Sequence, residues 1–281
     1  MNKFIKQTQT LTRKGDAFLA RQGSKNFHRE AAELLSSAKL HESFDFQELV
    51  KASFDRKKAP DQYFKHLEFS DLPITVARGE NCFVDLYFWR RRPTVIHNHH
   101  FMGSFQCLTG NNVDLEFKFL ESKKLTKYIS LGKVQELHAR ILKPGDIAEI
   151  NYLDKFIHQN HHQADLTINL CFRTPQESKS HISNFLFSGL RYEKEGKTLE
   201  RVERLLRLTQ IDDFDYTELD LTLDDAAHFL IQTASHNSQN KRFLKLREFL
   251  NKNFMKGTGV SIDKLVIAHE KKLDKIIDEY H

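Results

Sequence analysis

Proline and glycine are scarce in this chain of 281 residues, at 5 and 11, which excludes collagen-like repeats and linker-rich low-complexity structure. No apolar stretch approaches the roughly 18 residues of a membrane-spanning helix. The opening MNKFIKQTQTLTRKG has no apolar segment of a secretory signal, so the expected home is the cytoplasm and no membrane partner is expected. Cysteine is scarce too. Cys82, Cys107 and Cys171 are odd in number, far apart and each set in an apolar run, so they read as reduced core residues rather than a disulfide frame or a thiolate zinc site. An excess of one charge is also missing. Forty-three Lys and Arg against 38 Asp and Glu leave a formal +5, scattered along the chain. The densest basic spots, Arg56-Lys57-Lys58 and Arg90-Arg91-Arg92, are not interleaved with the aromatics of a base-stacking platform, so nucleic acid is not an expected partner. What remains is the profile of a globular protein with a sizeable core.

The pattern changes twice along the chain. Residues 1–71 read as an N-terminal helical segment: Phe27–Leu35 has helix formers with apolar positions spaced i, i+3, i+4, and Asp45–Phe54 repeats this briefly. Residues 72–175 shift to strand periodicity. Cys82–Trp89 is aromatic and β-branched, and Val113–Phe119 alternates with one apolar and one charged face. Gly110-Asn111-Asn112 signals a hairpin turn, Lys143-Pro144-Gly145-Asp146 a tight turn, and Glu136–Leu142, Ile147–Ile150 and Leu166–Phe172 are further strands. Many short strands with no helical period between them indicate an antiparallel sandwich or barrel. Residues 176–281 return to helix at Thr198–Leu208, Asp224–Ala234, Lys241–Phe254 and Ser261–Tyr280, with Thr222 and Asp225 as a capping pair. These helices cover the barrel, lid its mouth, or form the face of a homodimer.

The strongest chemical signal is Val95-Ile96-His97-Asn98-His99-His100. In an extended strand residues i and i+2 share a face, so His97 and His99 point the same way while His100 points away. Two imidazoles on one face suit a first-row divalent metal such as Fe, Zn, Ni, Cu or Mn. A third can come from Phe156-Ile157-His158-Gln159-Asn160-His161-His162, where His161 and His162 compete with His158. Arg90, Arg91 and Arg92 enter the histidine strand, either as anion-binding groups for a substrate or as a solvated strand end. Arg78, Tyr87, Gln106 and Asn169 are further pocket-lining candidates. Asp212-Asp213-Phe214-Asp215 lacks the glycine and spacing of a calcium loop and reads as a solvated turn.

His-x-His followed by a strand, then Pro-Gly-Asp and a later histidine, resembles the cupin superfamily of small β-barrels. The form without a glutamate in the first motif is similar to its cysteine dioxygenase (thiol dioxygenase) branch. The resemblance covers about residues 72–175. It implies a mononuclear Fe(II) held by His97, His99 and His158, with a small-molecule substrate and O2 taking the open positions; another divalent metal fits the same ligands. Where most metal cupins carry a glutamate, this chain has Gly103 or Ser104. Where some thiol dioxygenases carry a cross-linked cysteine and tyrosine it has Gly103 and Phe172, and their Ser-His-Tyr relay is not recognisable in Thr167–Phe172. The ligands carry over; the thiol substrate does not.

The expectation is therefore a mainly β chain with flanking α, a cupin-type antiparallel β-barrel wrapped by N- and C-terminal helices. Its expected function is that of a non-haem Fe(II), O2-dependent oxygenase acting on a small molecule, anionic if the arginines hold it. The alternatives are an oxygen-independent metal-dependent isomerase or lyase, and a non-catalytic small-molecule-binding cupin.

Overall fold

The structure, a computed structural model, describes residues 3–53, 62, 70–90, 93–176, 182–193, 222–234, 241–253 and 261–280. The helix expected at 198–208, the basic spot at 56–58, Arg91, Arg92 and the acidic turn at 212–215 lie outside the described residues.

The N-terminal segment forms α1 (Lys3–Gln22), α2 (Phe27–Ala38), α3 (Leu40–Ser43) and α4 (Phe46–Ser53). Phe27, Ala31 and Leu35 recur every four residues and are fully buried along one stripe of α2. That helix stops at Lys39, which turns left-handed and returns its N–H to the Leu35 carbonyl. The Asp45 carboxylate accepts the Glu48 N–H at 2.9 Å and caps α4.

Eleven strands follow: β1 (Leu72–Arg78), β2 (Phe83–Arg90), β3 (Ile96–Asn98), β4 (Gly103–Thr109), β5 (Asn112–Lys124), β6 (Ile129–Leu142), β7 (Ile147–Ile150), β8 (Ile157–His162), β9 (Leu166–Arg173), β10 (Asn184–Phe185) and β11 (Leu190–Tyr192). Five form an antiparallel sheet in the order β1-β2-β9-β4-β7, and six close antiparallel on themselves as β10-β11-β6-β5-β8-β3. Alternation sorts the first sheet. Val84, Leu86, Phe88, Leu170 and Phe172 pack under α1 and α2 with Phe4, Leu11 and Phe27, while Tyr87, Trp89, Phe105 and Cys171 face the opposite way in a second cluster.

Two differences from the expected pattern have physical causes. The Gly110-Asn111-Asn112 turn does not make a hairpin, because β4 is already paired on both edges, with β7 and β9; the chain crosses to the other sheet, where β5 pairs β6 and β8. The barrel is also closed by residues beyond 175. Strands of two and three residues carry no readable period, yet β10 bridges β3 to β11 and β11 reaches β6. Gly189, at φ +96°, makes that closure fit: a Cβ there would run into the Gly132 carbonyl oxygen.

The C-terminal helices are α5 (Leu223–Ala234), α6 (Lys241–Asn253) and α7 (Ile262–Tyr280). The capping pair forms, with the Asp225 N–H on Thr222 Oγ1 at 3.2 Å and the Thr222 N–H on Asp225 Oδ2 at 3.1 Å. The α7 stripe lies on the barrel: Leu273 and Ile276 join Val113, Leu115, Phe117 and Phe185. His269 Nδ1 accepts the Phe187 N–H at 3.1 Å. Among the described residues no helix is long and apolar enough to cross a membrane.

Candidate metal centre

The register of β3 against β8 sets His97 directly opposite His158, and His99 follows two residues on. All three are buried, and a ligating atom from each lies within 4.8 Å of the others. No other group of three or more histidine, cysteine or carboxylate side chains gathers this way among the described residues. His161, one of the competing candidates, falls on the opposite face of β8. His162 shares the His158 face but is four residues away, roughly 13 Å along an extended strand, and its ring stacks on Trp89 at 4.7 Å. His100 is buried with its ring against Tyr152.

Two hydrogen bonds orient the ligands. His97 Nδ1 lies 2.7 Å from the Val95 carbonyl and His158 Nδ1 lies 3.0 Å from Asp114 Oδ1. Those partners assign the proton to Nδ1 in both rings and point to Nε2 as the candidate ligating nitrogen. His99 Nε2 and His158 Nε2 are 2.9 Å apart. Two nitrogens, each about 2.1 Å from one ion and at right angles to one another, stand about 3 Å apart, so this spacing fits adjacent positions on a metal.

Electrostatics favour neutral rings at His97 and His99. Burial pushes the His97 ring down to about 3, and burial first, then the neighbouring histidines, hold His99 well below its ordinary value. Imidazole ligates when unprotonated, so these rings are ready at neutral pH. Burial alone would raise the Asp114 carboxyl, but the hydrogen bond and charge of His158, with Arg140, overcome it and hold Asp114 below the usual carboxylate range. Arg140 Nη2 reaches Asp114 Oδ2 at 2.9 Å and Glu116 Oε1 at 3.3 Å. Three aromatic rings close round the histidines: Phe101 is 4.8 Å from His99, while Phe156 and Phe105 are 4.5 and 6.0 Å from His158.

The structure brings together only some of the residues picked from the sequence. Tyr87 lies in the buried cluster that holds Phe101, Phe105 and Phe156. Arg78 is exposed at the end of β1, its guanidinium 5.5 Å from the Phe83 ring, and does not join the histidines. Arg90 is exposed at the end of β2, where its backbone N–H meets Asp71. The Gln106 amide donates to the Gly145 carbonyl and supports the turn before β7.

Two residues escaped the sequence reading. Asp114 looked like part of a charged strand face, yet it is fully buried. Arg173 ends an apolar strand and is 4% exposed, its Nε and Nη2 on Asp85 Oδ2 at 2.8 and 2.7 Å and its guanidinium over the Phe101 ring at 5.2 Å. The Tyr87 hydroxyl belongs to the same group, hydrogen-bonded to Arg173 and 3.4 Å from Asp85 Oδ2. The β9 backbone beside Arg173 leaves no room for a side chain at Gly103. Arg173 pairs across the sheet with Gly103, where a Cβ would meet the Phe172 carbonyl oxygen and come within 2.8 Å of Arg173 Cα. Ser104 points the other way and donates to the His28 carbonyl at 2.6 Å.

The closed antiparallel barrel sets His97 on β3 opposite His158 on the neighbouring β8, with His99 just past the end of β3. No family model matches the chain, and no curated protein matches it. Among solved structures, it is similar to a hydroquinone 1,2-dioxygenase from Sphingomonas sp. with 4-hydroxybenzoate bound, at 8% identity and TM-score 0.29, over 37% of this chain and 65% of that one. A sugar phosphate isomerase of the cupin superfamily from Silicibacter pomeroyi matches at 15% identity and TM-score 0.28, over 44% of this chain and 76% of that one. A DMSP lyase from Ruegeria pomeroyi matches at 12% identity and TM-score 0.27, over 40% of this chain and 49% of that one. The three carry different activities, so the functional reading comes from this chain's own residues.

Proposed function

We propose that the protein binds one first-row divalent metal, Fe(II) in the first instance, through His97, His99 and His158, and that it is an O2-dependent oxygenase of a small molecule. The observation that carries this reading is the convergence of three buried imidazoles on one point, two with Nδ1 already committed elsewhere. The choice of iron and O2 follows the cysteine dioxygenase resemblance of the His97–His99 and His158 motifs. Such a metal, when bound, supplies one-electron chemistry toward O2 at the positions that three ligands leave open.

The chain's own residues do the rest. Val95 and Asp114 fix the His97 and His158 rings, so little reorganisation accompanies binding. Phe101, Phe105 and Phe156 exclude water from the reacting volume. The Tyr87 phenol, held by Arg173 and Asp85, is the polar group proposed to meet the substrate. In the same reading, residues 72–175 carry the chemistry and segments 1–71 and 176–281 case it.

Elemental analysis of protein purified anaerobically, without a metal-binding tag, tests this directly. About one iron per chain is expected for a single three-ligand site, with O2 uptake on screening small acids and amines. Alanine at His97, His99 or His158 should abolish the metal. Zinc or nickel with anaerobic turnover would transfer the site to Lewis-acid chemistry. No metal after reconstitution would overturn the reading and leave a binding module.

A further inference from the structure

We infer that the cleft between α2 and strands β5–β7 is the approach to the histidine cluster, and that the Phe156 ring is its gate. The inference rests on the metal reading of His97, His99 and His158. These residues are 4%, 1% and 3% exposed, so nothing reaches them unless a neighbouring group moves.

Two clefts run up to the aromatic rings around the cluster. One, about 390 Å3, is lined by His100, Phe101 and Tyr152, and the Phe101 ring stands between it and His99. The other, about 900 Å3, is lined by Glu116, His138, Arg140, Glu149, Lys155 and Phe156. Phe156 is its apolar inner wall, 4.5 Å from the His158 ring and 6.1 Å from the His99 ring.

The two phenylalanines are held differently. Phe101 has the buried Arg173 guanidinium over its ring, and that guanidinium is fixed by Asp85. The next residue, Met102, is clamped on both sides: its N–H donates to Thr174 Oγ1 at 3.1 Å and its carbonyl accepts the Thr174 N–H at 2.8 Å. Phe156 lies outside any strand, one residue past a 3-10 turn at Leu153–Lys155. Leu153 opens that turn at φ +54°, a conformation costly for a leucine. Asp154 anchors the turn to Asn98 at 2.8 Å and to Arg191 at 3.0 Å, and Ile157 is already paired in β8. Phe156 is therefore a side chain between two fixed points, beside a strained turn whose Leu153 N–H donates to the His99 carbonyl at 2.8 Å. A rotation of its ring alone, with that turn held in place, opens the cleft to the cluster.

The wider cleft is also the one connected chemically to the site. From His158 the paired groups run through Asp114 to Arg140, Glu116 and His138, with Glu116 3.4 Å from His138, and the last three line the cleft. A polar solute in this cleft meets charges of both signs before it meets the ring.

Stopped-flow uptake and release of Co(II), followed by its visible absorption, reads the gate without turnover. Phe156→Ala should speed both rates by about ten-fold, Phe156→Trp should slow them, and affinity should stay within about three-fold. Phe101→Trp, which fills the other cleft without opening it, should leave the rates at wild-type values. Should Phe156→Ala fail to fold, Phe156→Leu keeps the packing and should still speed both rates. Wild-type rates in a folded Phe156 variant, or slowing by Phe101→Trp instead, would overturn the gate while leaving the metal site standing. Absence of Co(II) uptake by the wild-type protein would overturn both.

Discussion

His158 Nδ1 sits 3.0 Å from Asp114 Oδ1, a contact that joins a ligand candidate to a fully buried carboxylate. The pair defines which nitrogen of His158 faces the cluster, and Arg140 balances the charge from the far side. In the proposed metal centre Asp114 would act through His158 without itself being a ligand.

Asp114→Asn keeps the shape of that side chain and removes its charge. A carboxylate partner raises the basicity of its histidine, and losing such support costs about 10–100-fold in metal affinity. Equilibrium Co(II) titration should show Asp114→Asn in that range, with His158→Ala weaker still. Equal affinity for Asp114→Asn and wild type would show that the carboxylate serves the fold alone.

Asp85 and Arg173 form a buried ion pair, with Thr75 Oγ1 also on Asp85 at 2.7 Å. Removing one partner strands the other charge away from water, which costs about 3–5 kcal/mol, whereas removing both is close to neutral. Asp85→Leu should therefore lose about that much in urea unfolding, and Asp85→Leu with Arg173→Met should recover most of it. An additive double variant would show that the two side chains contribute independently.

What was legible in the sequence was what local periodicity writes down. Val113–Phe119 alternates, Phe27–Leu35 carries a helical stripe, and Thr222 with Asp225 marks a helix start; each appears in the structure. His97 and His99 could be paired from strand geometry alone. The family resemblance singles out His158 from His161 and His162, and the β3–β8 register, which the residues themselves do not spell out, sets it opposite His97. Nor could spacing tell that Gly110–Asn112 crosses between sheets, because that depends on β7 and β9 having filled both edges of β4. Arg173 left one signal, a lone cation ending the run Leu166–Phe172, and its meaning required Asp85 across the sheet.

Gly103→Glu would restore the acidic residue that the cupin pattern carries near this point. The structure leaves no room for it, because even a Cβ meets the backbone of Phe172 and Arg173. Overpacking of that kind costs about 1–3 kcal/mol or more. Thermal unfolding should show the loss, and Co(II) titration should show no gain in affinity. Tighter binding in a stable variant would mean that β4 and β9 separate easily and that the glutamate position is usable.

Acid should loosen the contact of α5 and α7 with the barrel before it unfolds the rest. His228 and His269 are buried, against Tyr192 and Phe187, and burial pushes both rings down to about 4. Asp225 opposes this shift at His228, and Lys272 lies over the same Phe187 ring. A ring that stays neutral in the folded chain and protonates near 6.5 when exposed gives stability that is complete above 6.5. That stability drains away as pH falls through 6.5 toward 4, because the unfolded chain binds the proton first. The displacement from 6.5 to about 4 is worth about 3 kcal/mol per ring. His269 Nδ1 also accepts the Phe187 N–H, so protonation there breaks a hydrogen bond that holds α7. Protection factors of the α7 amides, with the intrinsic pH dependence of exchange divided out, should fall between pH 6.5 and 4. His269→Asn keeps an acceptor and removes the titration, so its protection should start lower at pH 7 and change less across that window. A steeper dependence in His269→Asn would place the acid-sensitive group elsewhere.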